Sequence, residues 1–149
     1  MTAFCDGWAA YDALDDATRE RIHGLAAFHS GLYSQAKLGQ DPTGATPEAP
    51  VTGGLYVARA YLRPLVKMHP VSGRNALQIG RHAFGIPGLS DEESDELLEH
   101  LLRFAADDPT RTYYHQWEVG DLLIWDSALL CSVLGFVRPL SPAAALTLS

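Results

Sequence analysis

Cysteine is scarce: the 149 residues hold two, Cys5 and Cys131, with no CxxC spacing. That excludes a disulfide framework and a cysteine-rich zinc site, and it fits reduced thiols in a cytoplasmic setting. No stretch approaches the roughly 18 apolar residues of a bilayer span, so no membrane crossing is expected. The first residues lack both the basic start and the long apolar core of a secretory leader. Positive charge is also short. Eleven Lys and Arg stand against 18 Asp and Glu, a net charge of −7, which disfavours nucleic acid and anionic membranes as partners.

What is present suits one globular domain: 47% hydrophobic and 19% charged residues can build a core. The stretch around which the rest is organised runs from Tyr113 to Asp126. Residues 113–117 and 122–125 are two short β-prone runs, separated by Glu118, Val119, Gly120 and Asp121. Leu122, Leu123, Ile124 and Trp125 form a continuous apolar run, which predicts a strand buried on both faces. Trp117 and Trp125 are core candidates.

In chain order, Trp8, Tyr11 and Leu14 recur as on one face of a short helix. Asp15 or Asp16 caps a second helix reaching about Leu25, with Ile22 and Leu25 turned inward. Residues 29–54, broken by Pro42, Gly44, Pro47, Pro50, Gly53 and Gly54, read as a long loop. Residues 61–68 read as one strand, His69 to Arg74 as a turn, and residues 75–79 as the returning strand. Residues 81–89 read as irregular. Ser90 followed by Asp91, Glu92 and Glu93 is a capping box. Leu97, Leu98, Leu101, Leu102 and Ala105 then form an apolar stripe at helical spacing. The tail, 127–149, changes character: Arg138 is its one charge, and Ser, Ala, Leu and Pro supply 16 of its 23 residues.

These pieces resemble a known family. Thr2-Ala3-Phe4-Cys5-Asp6 with Ala9 to Leu14, His69-Pro70 with Ser72-Gly73-Arg74, Gly88-Leu89-Ser90, and His115-Gln116-Trp117 with Gly120-Asp121-Leu122 and Trp125-Asp126 are similar in order and spacing to the Fe(II)- and 2-oxoglutarate-dependent dioxygenases. The matching branch is the one named for taurine and 2,4-dichlorophenoxyacetate dioxygenases, TauD/TfdA. The resemblance implies an α+β fold, a partial double-stranded β-helix (jelly roll) with flanking helices. It places a partial dioxygenase domain over 1–126 and a divergent low-charge tail over 127–149. It implies Fe(II) and 2-oxoglutarate as cofactors and a small organic acid as substrate. The expected chemistry is hydroxylation coupled to oxidative decarboxylation of 2-oxoglutarate.

The family's iron sits on a His-x-Asp/Glu pair and a distal histidine, leaving three positions open on one side. Here His23, His29, His69, His82, His100 and His115 are all without an Asp or Glu two residues on. By the resemblance, the distal histidine corresponds to Ser132 and the arginine that grips 2-oxoglutarate to Ala143. The one matched functional residue is Thr2, which would contact 2-oxoglutarate. The expectation is therefore a fragment that is inactive and binds neither cofactor alone. Two alternatives stay open: a half-enzyme completed by a second chain, and a non-catalytic jelly-roll binding module. Residues 127–149 are expected to be out-of-frame or otherwise replaced sequence, and Met1 an internal start or truncation. Unpaired sheet edges would open the way to homo-oligomers. The remaining histidines read as ordinary surface or hydrogen-bonded groups, Asp6 and Asp12 as caps, and Arg74 as a turn residue.

Overall fold

The computed structural model describes residues 2–37, 60–124 and 126, and the backbone of 130–133. The architecture is a mixture of helices and small antiparallel sheets. β1 (Thr2–Asp6) lies between β7 (Thr112–His115) and β8 (Leu130–Val133). β2 (Ala26–His29) lies between β3 (Tyr61–Pro64) and β6 (Ala83–Phe84). β4 (Val66–Met68) and β5 (Asn75–Leu77) form a hairpin. The helices are α1 (Gly7–Ala13), α2 (Asp16–Ile22), α3 (Gly31–Lys37) and α4 (Asp91–Ala106).

Local chemistry fixes the helix ends. Asp6 accepts from the backbone N–H groups of Trp8 and Ala9 and so starts α1. Asp15 does the same for α2 through Thr18. Gly24 has φ +77, the left-handed residue that turns the chain from α2 into β2. In α4 the expected capping box is present: Ser90 Oγ accepts from Glu93 N, and Glu93 Oε2 accepts from Ser90 N. Leu97, Leu98, Leu101 and Ala105 are the buried stripe. That stripe meets Ala3 and Cys5 of β1, Ala10, Leu14, Ile22, Leu65, Leu77 and Ile86 in one core. A smaller cluster stacks Tyr33 of α3 on Phe84 of β6, ring centroids 4.6 Å apart.

Several expectations need correction. Residues 61–68 are two strands in different sheets. Leu65, fully buried, is the corner: its N–H donates to Leu25 O and its C=O accepts from Gln78 N, so each half of the run completes a different ladder. Residues 29–54 are not all loop, because α3 occupies Gly31–Lys37; 38–54 lie outside the described residues. Residues 81–89 contain β6, and the chain enters α1 through β1. The first run of the organising stretch is Thr112–His115, ending two residues before Trp117.

The largest correction concerns 122–125. Leu122, Leu123 and Ile124 are in no strand, and Leu122 and Ile124 are each 83% exposed. An apolar run is buried only where a second layer covers it, and no described element lies over these two side chains. Trp117 is likewise 49% exposed rather than in the core; Trp125 lies outside the described residues. β8 falls inside the segment expected to be a divergent tail, and it pairs with β1 from Ala3↔Val133 to Asp6↔Leu130.

Candidate functional site

β1 carries two faces, because successive strand side chains alternate. Ala3 and Cys5 enter the core. Thr2, Phe4 and Asp6 project to the other side. On that side Phe4 and Asp6 line an open cavity of about 390 Å³ with Thr110, Arg111, Thr112, Tyr113, Leu123 and Ile124.

At the end of this face, strand register sets Thr2 opposite His115. Trp117 Nε1–H donates to Thr2 Oγ1 at 2.8 Å. His115 is held from both ring nitrogens: Nε2 lies 3.0 Å from Asp121 Oδ2 and Nδ1 3.2 Å from the Tyr113 hydroxyl. Asp121 Oδ2 also accepts from Glu118 N, which folds the turn between them. The His115 ring meets Trp117 edge-on, centroids 4.6 Å apart. The indole occupies an acceptor position of Thr2, so the hydroxyl proton is not used in this contact. The Thr2–Trp117 contact, across 115 residues, carries no sequence signal of its own. The His115–Asp121 pair does, since six residues around Gly120 suit a tight return.

A second polar cluster joins the β4–β5 turn to α1. Ser72 N donates to His69 Nδ1 at 3.1 Å, leaving Nε2 to carry the proton toward Asp126 Oδ2 at 3.5 Å. Ser72 Oγ also sits 3.1 Å from His69 Nδ1. The order serine–histidine–aspartate is that of a hydrolytic triad. However, Nδ1 already accepts from the Ser72 backbone, and Arg74 N donates to Ser72 Oγ, so the geometry staples a turn. Arg74 does more than turn the chain. Its guanidinium lies 4.6 Å above the Trp8 ring and bonds Asp12 at 2.7 Å. Asp6 is a cap as expected, whereas Asp12 is an ion-pair partner.

The third cluster is at the end of β2. Burial, with Arg63 and His82 nearby, lowers the pKa of His29 to about 4. Its Nε2 is buried without a hydrogen-bond partner among the described residues, as is Ser30 Oγ. His82 is also pushed down, by burial and then by Arg81 and Arg63. Ser34 donates to Gly31 O and so receives the Nδ1–H of His82 at 2.7 Å.

His29 and His82 are neighbours, and His69 and His115 each hold one carboxylate in separate places. Among the described residues no three His, Cys, Asp or Glu groups converge on a point that could hold a metal ion. The position expected for the distal histidine, Ser132, is in β8 opposite Phe4; it supplies no imidazole. Arg138 and Ala143 lie outside the described residues. Among the described residues, then, none forms the iron site that the resemblance implies. Among the described residues no helix is long and apolar enough to cross a membrane.

Comparison with known proteins agrees with the resemblance. The family model described as taurine catabolism dioxygenase TauD, TfdA family matches residues 1–131. An (S)-phenoxypropionate/alpha-ketoglutarate-dioxygenase of Sphingobium herbicidovorans is 48% identical over 131 residues, 87% of this chain and 45% of that protein. An alpha-ketoglutarate-dependent 2,4-dichlorophenoxyacetate dioxygenase of Cupriavidus pinatubonensis is 40% identical over 129 residues, 85% of this chain and 41% of that protein. The crystal structure of AAD-2 in complex with Mn(II) and N-oxalylglycine superposes with a TM-score of 0.71 at 37% identity, covering 87% of this chain and 48% of that one. The chain thus spans less than half the length of the relatives it matches.

Proposed function

We propose, from the premise that this chain belongs to the taurine catabolism dioxygenase TauD, TfdA family, that it is part of a 2-oxoglutarate-dependent dioxygenase domain and is inactive alone. In this reading β1, β7 and β8 are one wall of a partial jelly roll, with α1, α2 and α4 as flanking helices. Residues 1–126 are the dioxygenase part and 127–149 a divergent tail. The lineage chemistry is hydroxylation of a small organic acid coupled to decarboxylation of 2-oxoglutarate, as the names of the relatives suggest. Thr2 keeps the role of a hydroxyl donor to 2-oxoglutarate.

One observation carries the inactivity: the sequence contains no His-x-Asp/Glu pair to begin an iron site, and the resemblance sets Ser132 where the distal histidine would fall. A hydroxyl is a poor substitute for a neutral imidazole as a ferrous ligand. A single threonine hydroxyl cannot position a dianionic keto acid. The test is product formation. The purified chain with Fe(II), ascorbate, 2-oxoglutarate and (S)-phenoxypropionate should release no succinate above a no-protein control, measured by mass spectrometry. Succinate that tracks protein concentration through purification would refute the reading.

The two-chain alternative draws support from the exposed Leu122 and Ile124, which the resemblance places in a core strand. In that reading the missing ligands come from another polypeptide.

A further inference from the structure

The chain has two cysteines, Cys5 in β1 and Cys131 in β8. Nearly the whole sequence separates them, and no local spacing links them. The β1–β8 ladder does. Its register runs Ala3↔Val133, Phe4↔Ser132, Cys5↔Cys131 and Asp6↔Leu130, so the two cysteines stand directly opposite in adjacent antiparallel strands. Residues placed opposite each other share a face of the sheet. Cys5 is on the core face, fully buried in the cluster that the α4 stripe closes, and the register sets Cys131 on that same face. Distance is the second requirement. Opposite Cα atoms of an antiparallel ladder lie about 4.5 or about 5.5 Å apart, depending on whether the pair is hydrogen-bonded. A disulfide accepts Cα separations of about 4.4–6.8 Å. Both kinds of pair fall inside that window.

We propose that Cys5 and Cys131 form a redox-reversible disulfide that staples β8 to β1. The oxidant is a low-molecular-weight disulfide. One cysteine thiolate attacks it, forming a mixed disulfide and releasing one small thiolate. The other cysteine thiolate attacks the protein sulfur of that mixed disulfide and expels the second small thiolate. One S–S bond forms in the protein and one breaks in the reagent. Two electrons pass from the cysteines to the reagent, and the two cysteine protons end on the released thiols. Among the described residues β8 is an edge strand, paired with β1 alone. Local opening of that edge uncovers Cys5 to the reagent. The bridge closes a loop over almost the entire chain, which restricts the unfolded state and so stabilises the folded one. Reduction leaves β8 held by the ladder alone.

The test uses the full chain, incubated with oxidised glutathione at neutral pH, alkylated and digested without reduction. Mass spectrometry should find the peptides carrying Cys5 and Cys131 joined within one monomer, and dithiothreitol should separate them. Oxidation should raise the thermal midpoint and reduction should restore it. Cys131→Ser should abolish both the linked peptide and the shift. The double variant Cys131→Ser, Ser132→Cys keeps the number of thiols but moves one of them opposite Phe4, onto the other face of the sheet. Its intramolecular bridge should form about tenfold less. Four results would overturn the inference: no linked peptide, linkage only between copies, equal bridging in the shifted variant, or a bridge that leaves the midpoint unmoved.

Discussion

The indole of Trp117 donates to the hydroxyl of Thr2 at 2.8 Å, tying the loop after β7 to the first residue of β1. Strand register brings them near, since Thr2 faces His115 and Trp117 follows two residues later. Thr2→Val removes the acceptor while keeping the shape. With Trp117 half-exposed, water replaces the lost partner, so the cost should be about 1 kcal/mol or less. Urea unfolding should show a slightly lower midpoint with an unchanged slope. A loss of several kcal/mol would mean that the contact organises the whole sheet.

Ser94 is a stronger test of packing. It is fully buried on α4, and its Oγ accepts from Ile86 N at 3.0 Å. Ser94→Ala leaves that N–H unpaired in the core, a loss of roughly 1–3 kcal/mol. Ser90→Ala removes the cap of the same helix at its exposed end and should cost about 1 kcal/mol. Denaturant titration of the two variants should rank Ser94→Ala as the more damaging.

Stability should depend on pH through His29. Its folded pKa is near 4, below an unfolded value of about 6.5. Between those values the unfolded chain binds a proton that the folded chain refuses. The contribution is therefore complete above about pH 6.5 and is lost as pH falls toward 4. A fully shielded ring would lose about 3 kcal/mol; partial exposure reduces this to about 2. His82 is shifted in the same direction and should steepen the fall. His29→Gln should flatten the stability profile between pH 6.5 and 4, measured by urea unfolding at each pH.

Much of the fold was legible where one local signal suffices. The capping box at Ser90, the leucine stripe of α4, the caps at Asp6 and Asp15 and the hairpin around His69 to Arg74 all follow from chemistry within a few residues. The misses share one cause. Leu65 looks like the middle of a strand until Leu25 and Gln78 claim its N–H and C=O. β1 and β2 are short and gain their identity from strands far away in sequence. The apolar run at 122–124 was read as buried, but burial depends on what covers a segment, and hydrophobicity alone cannot supply that. At the site, the assignments of Thr2 and Ser132 rest on spacing against the family pattern alone. The grip of Trp117 on Thr2 depends on the β1–β7 register, whereas the pairing of His115 with Asp121 is local to the turn after β7.

The proposed function requires that this chain alone not hold ferrous iron with 2-oxoglutarate. The direct measurement is an anaerobic titration of the isolated chain with Fe(II) in excess 2-oxoglutarate, followed by visible absorption. The account predicts no metal-to-ligand charge-transfer band at any ratio. A band that grows and saturates at one equivalent of iron would contradict it.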